Sequence, residues 1–283
     1  MAFRGPVTRE QIVARIAEHP LGQSPDDMRS NFCRLVLGDG ARPDSSARCL
    51  RPERSVGLPP VIWFHGGGYV FGGPDTHARI GRYLADTHGL VVHLPHYALA
   101  PEHRWPAQLD DALAAVPGGP APILAGDSAG GHLALVTALA MSREGRPPAA
   151  LLLFSPNTDR SGLSDTRTAM EDDDPMVDDA DDRLLARMCF GDMASDDPQV
   201  SPVLDDLSLL PPTWIEVGTP EVLLGDSLAL VERGRAAGAD IHLTVTPGLL
   251  HMAQVWAPWW DAACASLDRA AEFAIDRVTS AAA

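Results

Sequence analysis

Ser128 stands in Gly126-Asp127-Ser128-Ala129-Gly130, between the apolar run Ile123–Gly126 and the helical stretch Ala129–Arg143. An alcohol becomes a useful nucleophile when a neighbouring base takes its proton. The Gly-x-Ser-x-Gly spacing at a strand-to-helix joint predicts a nucleophile elbow, a turn so tight that its flanking residues must be tiny. Such a turn pushes the hydroxyl out at the C-terminal edge of a sheet. The helix N-terminus behind it favours developing negative charge.

A second motif, His65-Gly66-Gly67-Gly68-Tyr69, follows the run "VIWF". Acyl transfer creates an oxyanion, and backbone amides are the donors that stabilise it; glycines let the chain approach and turn those amides inward. A dinucleotide loop, Gly-x-Gly-x-x-Gly, fails because Phe71 occupies the third glycine position.

All 22 basic residues are arginine. The absence of lysine removes Schiff-base chemistry, a P-loop lysine and a Ser-x-x-Lys mechanism, so the base for Ser128 must be one of ten histidines. His132 belongs to the elbow helix, whereas a base must approach from outside it, so His132 reads as structural. His93, His96 and His103 lie on an earlier strand and loop and read as support. His251, in "VTPGLLHMAQ", follows the last strand and a Pro247-Gly248 turn, which can bring its imidazole over the elbow. The orienting acid is Glu221, delivered after the strand ending at Val217; Asp226 is the alternative, five residues on and already helical.

These residues need a scaffold. Val61–His65, Leu90–Leu94, Ile123–Gly126, Ala150–Phe154, Trp214–Val217 and Ile241–Val245 are near-continuous apolar runs, as in a parallel sheet covered on both faces. Helical stretches alternate with them at Thr76–Thr87, Ala107–Ala115, Ala129–Arg143, Ser227–Ala237 and Asp261–Val278, so the fold class is α/β with a doubly wound, mostly parallel sheet. Phe32–Leu37 and Ala47–Arg51 are predicted to form an antiparallel hairpin leading into it. The N-terminal segment to Asn31 and the region 157–202 interrupt the rhythm; the latter reads as an insertion carrying its own helices.

The 283 residues predict a single domain. A net charge of −16 makes nucleic acid and an anionic membrane poor partners. Cys33, Cys49, Cys189 and Cys264 form no Cys-x-x-Cys pair and read as reduced thiols. With no signal-peptide core and no bilayer-spanning run, the chain is expected to be cytoplasmic. The acidic run "EDDDPMVDDADD" lacks the EF-hand glycine, so it reads as solvated, helix-capping aspartates rather than a metal site. Trp105, Trp256, Trp259 and Trp260 are candidates either for a pocket wall or for packing beneath the final helix.

The set "HGGGYVFGG", "YALAPEHRWPA", "GDSAGG", "DDPMV" and "PGLLHMAQ", from Val61 to Trp256, resembles the bacterial hormone-sensitive-lipase-like carboxylesterases. The resemblance implies an α/β-hydrolase fold with a helical cap, here segments 1–31 and 157–202. It implies hydrolysis of short-chain esters by Ser128, Glu221 and His251, in that chain order, through an acyl-enzyme and without a metal or organic cofactor. By the same resemblance the amides of Gly66, Gly67 and Ala129 form the oxyanion hole, and a homodimer through the last strand and helix is expected. Two departures stand out. His96-Tyr97-Ala98 replaces the family's Asp-Tyr-Arg, and the segment before His65 is short, which predicts a wider entrance. An amidase needs the same triad, and non-catalytic ligand-binding members of the fold have lost the histidine that His251 supplies here.

Overall fold

The computed structural model describes residues 3, 5–44, 46, 48–170 and 173–282. Its centre is a seven-stranded sheet in the order β1-β3-β2-β4-β5-β6-β7. The strands are β1 Arg48–Leu50, β2 Val61–Phe64, β3 Val92–Leu94, β4 Ile123–Asp127, β5 Ala150–Phe154, β6 Thr213–Gly218 and β7 Ile241–Thr246. Only β1 runs antiparallel, against β3; the other five pairings are parallel. Every residue of β2, β4, β5 and β6 is buried, which is why their sequences show no polar alternation.

Helices α3 Ala78–His88, α4 Ala107–Ala115, α5 Ala129–Arg143, α8 Leu224–Ala236 and α9 Asp261–Ala282 fill the crossovers and close the chain. Helix α5 is the most deeply set: Ala129 to Leu139 are all buried, so it is apolar on every side. Each parallel strand therefore ends at one edge of the sheet, where the loops after β2, β4, β6 and β7 converge. That convergence brings Gly67, Ser128, Glu221 and His251 together although 184 positions separate Gly67 from His251.

Outside the alternation lie α1 Arg9–Glu18 and α2 Pro25–Leu37 before the sheet, and α6 Thr166–Ala169 and α7 Asp179–Phe190 between β5 and β6. Helix α1 starts at a capping box between Thr8 and Gln11. Its Arg9 Nε donates to the Gly248 carbonyl at 3.0 Å, and Val7 N–H donates to the Trp259 carbonyl, so the N-terminal segment is fastened beside the His251 loop.

The expected hairpin is corrected. Phe32–Leu37 is the last part of α2, not a strand. Ser24 caps that helix, Pro25 opens it, and Met28, Phe32, Leu35 and Val36 form its buried face at helical spacing. The six-residue apolar window alone reads as either element; the start signals upstream decide. Arg48–Leu50 is a strand, paired with β3, and Ala47 lies outside the described residues. Cys33 is thus buried on a helix and Cys49 exposed on β1, and all four cysteines are free thiols.

The acidic run is also corrected in part. Asp178 caps α7 by accepting the Asp181 amide, as expected. Asp174 and Asp182, however, are buried rather than solvated. Glu171 and Asp172 lie outside the described residues. None of the four tryptophans lines the cavity at Ser128. Trp105, Trp256 and Trp260 are buried in the core, and Trp259 packs under the Arg79 guanidinium at 4.2 Å.

Candidate active site

Ser128 holds φ 54° and ψ −123°, a region that ordinary L-residues avoid at a cost of about 1–3 kcal/mol. The strain is held by hydrogen bonds on both sides. Its amide donates to the Phe154 carbonyl at 2.9 Å, and its own carbonyl accepts from the amides of His132 (3.1 Å) and Asn157 (3.2 Å). The small neighbours are required: a Cβ on Gly126 would collide with the Gly130 backbone, and one on Gly130 with the carbonyls of Phe64 and His65. The turn therefore packs directly onto the end of β2.

His251 and Glu221 meet across the edge of the sheet. His251 Nδ1 lies 2.9 Å from Glu221 Oε2, and both side chains are essentially inaccessible to solvent. The other carboxylate oxygen accepts the Gly218 amide at 2.5 Å, which fixes the acid against the end of β6. A carboxylate can only accept, so Nδ1 carries the proton and Nε2 is the ring's acceptor. Burial disfavours the imidazolium, but the hydrogen bond and charge of Glu221, with Asp174 and Asp127 behind it, outweigh burial and raise the His251 pKa above its ordinary value.

Asp226 is placed elsewhere. It opens α8, where it accepts the amides of Thr158 and Asp159 at 2.9 and 2.8 Å and pairs with Arg167 at 2.8 Å. Arg167 also reaches Asp182 at 2.8 Å, and Arg160 reaches the same carboxylate at 3.1 Å. Burial alone would raise Asp182, but the two guanidiniums hold it well below the usual carboxylate range. This buried network joins α6 and α7 to α8 and to the loop after β5.

The glycine loop differs from expectation at one residue. Gly66 points away from Ser128: its amide donates to Asp127 Oδ2 at 3.2 Å. Among the described residues the amides of Gly67, Gly68 and Ala129 have no acceptor. Gly67 and Gly68 line the cavity at Ser128 and take φ of 120° and 58°, which glycine alone adopts without strain. Of the three amides expected as donors, that of Gly66 is already engaged, while those of Gly67 and Ala129 remain free among the described residues.

Asp127 explains the loop's shape and carries no signal in the sequence beyond preceding the nucleophile. Besides Gly66, it accepts from Trp63 Nε1 at 2.8 Å and faces His77 Nε2 at 3.1 Å. Burial would raise its pKa, but His77 and Trp63 outweigh that and lower it. His65 stacks on Tyr97 at 4.2 Å, and burial pushes its pKa down to about 3. His132 sits 2.6 Å from the Tyr69 hydroxyl and is likewise lowered to about 3, chiefly by burial. Neither can serve as a base near neutrality. Where the family's arginine is missing at Ala98, Arg29 of α2 comes in from outside and takes Glu102 at 2.8 and 2.6 Å.

Ser128 and His251 line one cavity of about 50 Å³, with Gly67, Gly68, Phe71 and Met252 around its floor. Leu21 closes it from the N-terminal segment; Met176, Val177, Asp181, Asp182 and Leu185 close it from the insertion. A larger, outer cavity of about 390 Å³ shares Leu21, Met176, Val177 and Asp181 with it. Among the described residues no group of three or more His, Cys, Asp or Glu is arranged to hold a metal ion, and no helix is long and apolar enough to cross a membrane.

Comparison with known proteins agrees with this architecture. Residues 61–255 match the family described as α/β hydrolase fold. An acetyl-hydrolase of Streptomyces hygroscopicus is 34% identical over 216 residues, covering 73% of this chain and 72% of that protein. An esterase of Acinetobacter venetianus is 32% identical over 279 residues and 90% of both chains. The crystal structure of an esterase from the bacterial hormone-sensitive lipase family superposes with a TM-score of 0.83 at 30% identity, covering 95% of this chain and 98% of that one. The chain belongs to the α/β-hydrolase fold family, among the hormone-sensitive-lipase-like carboxylesterases.

Proposed function

We propose that the protein hydrolyses small carboxylic esters through a covalent acyl-enzyme. The observation that carries the reading is one chamber lined by both Ser128 and His251, with Glu221 holding Nδ1 of the imidazole. Ser128 Oγ attacks the ester carbonyl carbon while His251 Nε2 takes its proton. The carbonyl oxygen becomes an oxyanion beside the amides of Gly67, Gly68 and Ala129. Collapse of that intermediate releases the alcohol, which leaves with the proton held by His251. Water then attacks the acyl-enzyme by the same route and frees the acid.

The small chamber supports short acyl groups, and the broad outer cavity supports an alcohol of looser specification. Segments 1–31 and 157–202 act as the cap: Leu21 comes from the first, and Met176, Val177 and Leu185 from the second. The relatives' names, acetyl-hydrolase and esterase, support the same substrate class. Ser128→Ala tests the reading with p-nitrophenyl acetate: kcat should fall by roughly a millionfold, as when a triad serine is removed elsewhere. An alanine variant that keeps its turnover refutes the assignment.

A further inference from the structure

Asp174 lies in the insertion, buried, and among the described residues no arginine hydrogen-bonds to it. Its Oδ1 accepts the amides of Met176 (2.9 Å) and Val177 (3.3 Å), two residues of the chamber wall. Its Oδ2 accepts the amide of Val222 at 3.1 Å, the residue next to Glu221. One carboxylate therefore ties the wall that faces the substrate to the turn that carries the acid.

We propose that Asp174 is a positioning residue for the Glu221–His251 couple, holding the acid turn in register with the chamber wall and standing as a second carboxylate beside the imidazole. The inference rests on the hydrolase reading above. A buried carboxylate that has no cationic partner among the described residues is costly. The charge gains a use when His251 takes the serine proton: Glu221 bonds the ring directly, Asp174 is tied to the turn that carries Glu221, and the charges of Asp174 and Asp127 add to that of Glu221 in favouring the cation. Burial, opposed in part by the His251 charge, raises the Asp174 pKa itself. The charge is thus placed where it is least comfortable in the resting enzyme and most useful in the transition state.

The test compares wild type, Asp174→Asn and Asp174→Glu on p-nitrophenyl acetate, reading kcat and KM against pH. In Asp174→Asn the acid limb of kcat/KM should move to lower pH and the plateau kcat should fall roughly three- to tenfold, as expected for loss of one nearby charge. Asp174→Glu should keep the wild-type limb. A purely structural role predicts lower kcat or stability with the limb unmoved, since asparagine keeps only one of the two accepting oxygens; an unmoved limb in folded Asp174→Asn overturns the proposal. If that variant does not fold, Asp174→Ser, which removes the charge and keeps one acceptor, carries the test, with labelling of Ser128 by a fluorophosphonate followed against pH. The His251 limb should lie below that of wild type. A limb that coincides with wild type's overturns the proposal. Loss of all labelling in wild type would instead refute the hydrolase reading.

Discussion

Glu221 divides its carboxylate between Gly218 N–H and His251 Nδ1, while Asp226, five residues on, faces Arg167 instead. The two acids are thereby given separable tasks. Glu221→Gln should lower kcat by about 10⁴, because an amide in place of the acceptor favours the wrong imidazole tautomer. Asp226→Asn should leave the pH dependence of turnover intact but weaken the fold. It removes the charge from a buried pair and leaves Arg167 under-compensated, at a cost of about 3–5 kcal/mol where such pairs are broken. Steady-state kinetics and chemical unfolding of both variants decide the matter; crippled turnover in a stable Asp226→Asn enzyme would move the triad role.

Much of this site was legible before any coordinates because its parts are local. The elbow needs glycine at Gly126 and Gly130 for contacts within a few residues and one neighbouring strand, so the requirement is written in the sequence. The strands were legible because burial on both faces removes polar residues altogether. What escaped was long-range pairing of single side chains. Nothing in the spacing of Asp127, Trp63 and His77 announces that one carboxylate collects the other two along with Gly66, and hence that Gly66 turns away from the serine. The same holds for Arg167, Asp182 and Asp226, which lie on three helices. The error at Phe32–Leu37 has a different source: an apolar window of six residues has no decided period, and the deciding signals, Ser24 and Pro25, stand one helix-length upstream.

The pH response follows from the signs of three histidine shifts. His251 works as a base when unprotonated, and its pKa is raised, so the acid limb of kcat/KM should lie above the ordinary histidine value of about 6.5. Stability runs the other way for two of the rings. His65 and His132 stay neutral down to about 3 in the fold, whereas the unfolded chain takes up their protons near 6.5. Their contribution is present above 6.5 and is lost as pH falls toward 3, by about 1.4 kcal/mol per pH unit for each ring. His251 opposes them: its raised pKa adds stability below 6.5 that disappears as pH rises through the folded value. Urea unfolding of wild type and His132→Gln between pH 7 and 4.5 measures this; the variant should lose stability less steeply on acidification. Equal slopes would mean that His132 is not held neutral.

Gly68 and Leu185 form a contact between the glycine loop and α7. A Cβ on Gly68 would fall inside contact distance of the Leu185 side chain, at a φ that disfavours any Cβ. Gly68→Ala should therefore lower both stability, by about 1–3 kcal/mol, and kcat, since the amide direction shifts with the loop. Adding Leu185→Ala should return the part due to the clash and leave the part due to φ. Gly67→Ala meets the Phe71 backbone rather than a side-chain tip, so no second substitution should rescue it. A double variant no better than Gly68→Ala would show that backbone strain dominates.

Leu185 is also part of the chamber wall. The cavity of about 50 Å³ has apolar walls at Leu21, Phe71, Val177, Leu185 and Leu223, of which Leu185 comes from α7. Trimming Leu185→Ala opens space beside Ser128 without touching the couple of Glu221 and His251. Each methylene accommodated in such a pocket is worth about 1–3 kcal/mol of discrimination. The ratio of kcat/KM for p-nitrophenyl octanoate over acetate should then rise at least tenfold, mostly through the longer ester. Acetate should be hydrolysed nearly as before, since its acyl group does not reach the new space. If the ratio stays constant while both esters slow equally, Leu185 supports the loop at Gly68 rather than the acyl boundary, and the limit on chain length must come from Leu21 and Val177 instead.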